Sequence, residues 1–139
     1  MRTQSTRRKN GQRGATVIEF GLAFLLFFTV VYAVMEFGRI VASYNILAGA
    51  VREATRYAAV HGSASASPAG TTDITAVVDQ WAVGLDTSAL TVTPTWSNSK
   101  KVPGSTVQVT ASYSAAPFTS LILPGNVTLR SSSQMVISQ

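Results

Sequence analysis

A chain of 139 residues suffices for one small domain plus an appendage. It has no cysteine, which excludes a disulfide framework, a thiolate metal site and a cysteine nucleophile. The net charge of +5 is local: Arg2, Arg7, Arg8, Lys9 and Arg13 precede Ala15, and the six bases that remain balance six acids, so a basic folded surface for nucleic acid is not expected.

The amino-terminal arm, residues 1–14, is basic and carries no acid. Lys and Arg flanking an apolar span stay on the cytoplasmic side of a membrane, so the arm reads as a topology signal. The span follows at once. Phe20 to Met35, FGLAFLLFFTVVYAVM, is uncharged and mostly apolar but holds only 16 residues. Counting from Ala15 gives 21 residues, which as a helix cover ~31 Å and cross a bilayer. That count places one carboxylate, Glu19, inside the span, where an unpaired charge is expensive.

The helical pattern continues past the span. Glu36 and Arg39 are three apart and able to pair. Ile40, Tyr44, Leu47, Val51, Ala54 and Ala58 recur at spacings of four and three and mark one apolar face, with Arg52, Glu53 and Arg56 off it. No proline precedes Pro68, so the spacing predicts one helix over 15–60, ~69 Å long, with a membrane part over about 15–38 and an amphipathic part over about 39–60. Ala50, Ala54 and Ala58 form a row of small residues, open to two readings: helix propensity, or packing against a neighbouring element.

HGSASASPAGTT, residues 61–72, is a linker. Thr72 is a candidate N-cap with Asp73 in the first turn of a short second helix, whose apolar face is Ile74, Val77, Val78, Trp81 and Leu85. After Asp86 the period changes to two. Leu90, Val92, Pro94 and Trp96 alternate with threonines; Val107, Val109, Ala111 and Tyr113 alternate with polar residues; Val127, Leu129, Ser131, Ser133, Met135 and Ile137 make a third, weaker alternation. Turn chemistry lies at 98–104 and 124–126. Pro94 marks the first strand as an edge, because proline cannot donate to a ladder. The expected class is α+β, a long amino-terminal helix packed on a small antiparallel sheet of about three strands, with an extracytoplasmic domain over 73–139.

Little in the chain points to reaction chemistry. His61 is the only histidine and falls in the linker, Asp73, Asp79 and Asp86 lie six and seven apart, and GQRG at 11–14 lacks the end of a phosphate loop. Trp81 and Trp96 are expected in the core, and Asn126-Val127-Thr128 is a glycosylation triplet of the kind that arises by chance. No enzyme, metal or cofactor is expected.

Three features resemble the type IV prepilins, and among them the TadE-like minor pilins of tight-adherence pilus systems. A basic leader ends at Gly14 and is followed by Ala15-Thr16-Val17-Ile18-Glu19-Phe20. Glu19-Phe20-Gly21 and Glu36-Phe37-Gly38-Arg39 resemble the two ends of the TadE membrane segment, and residues 50–58, AVREATRYA, resemble the stretch that follows it. Many TadE-like segments carry an early proline; this one has none, so no kink is implied there. The resemblance implies a pilin-like fold and cleavage between Gly14 and Ala15 by a prepilin peptidase. It implies a role for Glu19 and Phe20 in assembly, with other pilin subunits, the assembly platform and membrane lipid as partners. Glu19 would then lie ~6 Å along the helix from the new α-amino group of Ala15, able to pair with it or with that of a neighbouring subunit. Two other readings compete: a conventionally secreted protein cut after Val31-Tyr32-Ala33, and an uncleaved single-span protein with an outer binding domain.

Overall fold

The computed structural model describes residues 10–118 and 124–138, with side chains from residue 14 onward. Arg2, Arg7, Arg8 and Lys9 of the basic arm, and the side chain of Arg13, lie outside the described residues. Five elements organise the rest: α1, Asn10–Val60; α2, Thr71–Trp81; β1, Leu90–Trp96; β2, Thr106–Ala115; and β3, Val127–Val136. The chain divides after Phe37 into two units.

In the second unit the period-two segments pair as their alternation requires. The sheet has order β1-β2-β3 and is antiparallel throughout, with Val92 opposite Ala111 and Ala111 opposite Ser131. β1 is an edge strand, which lets Pro94 sit in it without breaking an inner ladder. Val107, Val109, Ala111, Tyr113 and Ala115 of β2 all point to the buried face. They share one core with Leu47, Ala50, Val51, Ala54 and Ala58 of α1 and Ile74 and Val78 of α2. Each fully buried Val or Leu there contributes ~1.5–3 kcal/mol, so this helix-on-sheet contact is the main source of the unit's stability. Ile137, just past β3, belongs to the same core, and the Ser138 amide closes the end of α1 by donating to Ala59 O at 2.9 Å.

The 61–72 segment is shorter and better held than its composition suggests. α2 begins at Thr71, and its N-cap is Gly70, not Thr72. Asp73 explains the difference: its Oδ2 accepts the Gly70 amide at 2.8 Å, half of a capping box that fixes the start two residues earlier. Within the loop the Ala69 amide donates to His61 O at 2.8 Å, and the Ser63 amide to Lys101 O at 3.0 Å. Lys101 adds its Nζ to Ala69 O at 2.6 Å and lies 4.4 Å from the centroid of the Trp96 ring. Its backbone takes a left-handed φ of 52°.

Two aromatic residues expected inside are not. Trp81 is 53% exposed, because burial on α2 follows the row Ile74, Val78, Ala82, and Trp81 is the last helical residue, off that row. Tyr44 is 44% exposed, and Ser43 is the buried residue of its turn. Trp96 is half-buried against the core as expected.

Candidate functional site: the amino-terminal helix

The residues singled out in sequence fall into two sets on α1. The first is Gly14, Ala15, Glu19 and Phe20. All four are exposed, and so is every residue from 14 to 31, although nearly all are apolar. An α-helix satisfies its own backbone polar groups, which suits such a surface to hydrocarbon. The one hydroxyl in the middle of this stretch follows the same rule: Thr29 Oγ1 donates to Leu25 O at 2.8 Å within the helix. Among the described residues one helix is long and apolar enough to cross a membrane, and this is it. Phe20, Phe24 and Phe28 recur every four residues and touch along one stripe, with ring centroids 6.1 and 4.4 Å apart. Tyr32 continues that spacing, and its hydroxyl is buried with no partner among the described residues.

Among the described residues the helix runs from Asn10, so the Gly14–Ala15 bond lies inside regular helix. The described helix thus includes five residues before the expected boundary at Ala15. It also bears on Glu19. The attraction of an acid to a helix N-terminus fades within the first turn, and Glu19 lies more than two turns past Asn10. A helix-start role therefore does not explain the carboxylate in this helix. Glu19 makes no hydrogen bond or ion pair among the described residues.

The second set is Ala50, Ala54 and Ala58, each at most 1% exposed, against the sheet. The buried band on this part of α1 is wider than one row, taking in Ala48, Thr55 and Ala59 as well. Thr55 was not singled out in sequence. Its Oγ1 donates to Val51 O at 2.7 Å and reaches Ser133 O at 3.5 Å, so the hydroxyl is satisfied although wholly buried. On the solvent side Arg56 Nε donates to both carboxylate oxygens of Glu53, at 3.2 and 3.1 Å, and holds that carboxyl below its usual range. Near the start of this unit Arg39 Nη2 donates to Ala116 O at 2.6 Å.

Residues 14–56 match the model of the TadE-like protein family. The TadE-like segment thus begins at Gly14 and ends within the buried alanine row, and the sheet lies beyond it. Neither a curated protein nor a solved structure gives a significant match.

Proposed function

We propose that the protein is a minor pilin, or pseudopilin, of a tight-adherence type IV pilus. The TadE-like match, opening at Gly14 and containing both Glu19 and the apolar span, is the observation that carries this reading. In this account a prepilin peptidase removes residues 1–14, the basic arm keeps the amino terminus cytoplasmic, and the sheet domain lies outside. The role is structural: the subunit supports assembly of the fibre and, through it, adhesion or secretion.

Cleavage demands local unwinding, because the scissile bond sits in helix. Gly14 assists, since glycine is ~1 kcal/mol less favourable than alanine in a helix interior. Cutting there makes Ala15 the new terminus and sets its ammonium about one turn from Glu19. In a low-dielectric site a charge-assisted pair of this kind is strong, and in a fibre the ammonium can come from the neighbouring subunit.

The Glu19→Gln variant tests the reading, scored separately for abundance, processing and piliation. Insertion should be no harder, since acids at mid-membrane cost ~2.5–3.5 kcal/mol on insertion scales. Normal abundance and processing with loss of pili is the expected result. Normal piliation removes the assembly role of the carboxylate.

A further inference from the structure

The sheet's second face, turned away from the core, is polar over most of its area, with Val136 its exposed apolar residue at one end. Its rows across the three strands follow from the register: Thr91, Ser112 and Arg130; Thr93, Thr110 and Ser132; Thr95, Gln108 and Gln134. Six of these residues, Thr93, Thr95, Gln108, Thr110, Ser112 and Arg130, line a shallow open hollow of about 430 Å³. Arg130 is the only charged residue in the three strands. Its guanidinium has no hydrogen bond or ion pair among the described residues. Of the other five, Thr95 alone spends its hydroxyl inside the fold, donating to Gln108 O at 3.3 Å. The face thus combines one unspent planar cation with hydroxyls and an amide that donate and accept.

We propose that this face binds a carboxylated sugar. Arg130 takes the carboxylate through a two-pronged contact, which the guanidinium geometry favours. Thr93, Thr110, Ser112 and the Gln108 amide take the ring hydroxyls, exchanging donor and acceptor roles as a polyol requires. Strands ~4.8 Å apart and same-face residues ~6.8 Å apart make the grid ~10 by ~14 Å, room for one or two pyranose rings. A purely protective role for Arg130 is the competing explanation, because β3 is an edge strand and a charge there deters strand pairing with other chains. That role needs no unspent hydroxyls beside the charge and no hollow. The sugar site does not depend on whether the chain is a pilin.

The test is a titration of the full chain in detergent micelles with a galacturonic acid trimer and, separately, a neutral galactose trimer, followed by NMR. The acidic trimer should bind saturably and shift the Arg130 Nε–H and the methyl signals of Thr93 and Thr110. The neutral trimer should bind roughly tenfold more weakly, the share assigned to the charge-assisted contact. Arg130→Gln should abolish the preference for the acidic trimer, Thr110→Val should weaken binding of both, and Lys100→Gln, a loop control, should change neither. The proposal is overturned if the acidic trimer does not bind, if Lys100→Gln matches the effect of Arg130→Gln, or if Arg130→Gln self-associates while sugar binding is unchanged.

Discussion

The alanine row on α1 admits a decisive substitution. Ala54 is wholly buried between α1 and the sheet, in one core with Val51, Val109 and Ala111. Leucine follows alanine closely in helix propensity, so Ala54→Leu changes the helix itself by only a few tenths of a kcal/mol. If the row merely favours helix, the variant should be as stable as the parent. If the row is there because nothing larger fits beneath the sheet, three added carbons must force side chains off their rotamers or lift the helix. Overpacking of this kind costs ~1–3 kcal/mol. For a folded unit of this size each kcal/mol lowers the melting temperature by ~4–8 °C. The assay is urea and thermal unfolding of the full chain in mild detergent, followed by tryptophan fluorescence. Trp96 reports on the core because it is half-buried against it. Ala42→Leu, exposed on the same helix, is the control and should stay within ~0.5 kcal/mol of the parent. A54L matching that control would refute the packing argument.

Lys101→Met removes both the bond to Ala69 O and the cation over Trp96, and should loosen the 61–70 loop by ~1 kcal/mol, read as faster proteolysis or amide exchange there; an unchanged loop would show that its backbone bonds suffice. Asp86 accepts the Ser88 hydroxyl at 2.7 Å and amide at 2.9 Å, which hold its carboxyl below the usual range. Its contribution to stability is therefore complete above the unfolded value of ~3.9 and is lost as pH falls through the lower folded value. Ser88→Ala removes the larger of the two causes and should move Asp86 back toward the ordinary range in a carboxyl NMR titration, with Glu53 unmoved beside Arg56; an Asp86 that titrates as before contradicts the assignment.

Periodicity made most of the fold legible in advance. The alternations over 90–96 and 107–113 became β1 and β2, and even the serine-rich third alternation became β3, because Leu129 and Ile137 pin its phase in the core. Ends were less legible. Asp73 reaching back to Gly70 moved the start of α2, a side-chain event that periodicity does not encode. Trp81 and Tyr44 lie beside the buried rows and not on them: their neighbours Ala82 and Ser43 take the buried positions, and such small residues give too little apolar signal to fix the row from sequence. Thr55 gives no sign of burial in the sequence, since a hydroxyl carries no apolar signal; its bond to Val51 O makes its burial tolerable, and that bond is visible only in three dimensions. At the amino terminus the Gly14, Glu19 and Phe20 spacing is readable, but the helix running back through the Gly14–Ala15 bond is not, because the arm's charge and glycines favour no particular end.

The proposed pilin role requires that cutting between Gly14 and Ala15 produce the working subunit. The intact mass of the protein isolated from its host membrane, with the same measurement on Gly14→Leu, tests it most directly. The parent chain should be lighter by residues 1–14 and the Gly14→Leu chain should retain them, since a peptidase pocket shaped for glycine excludes the larger residue. A parent chain that keeps its basic arm, one cut after Ala33, or a Gly14→Leu chain processed like the parent would contradict it.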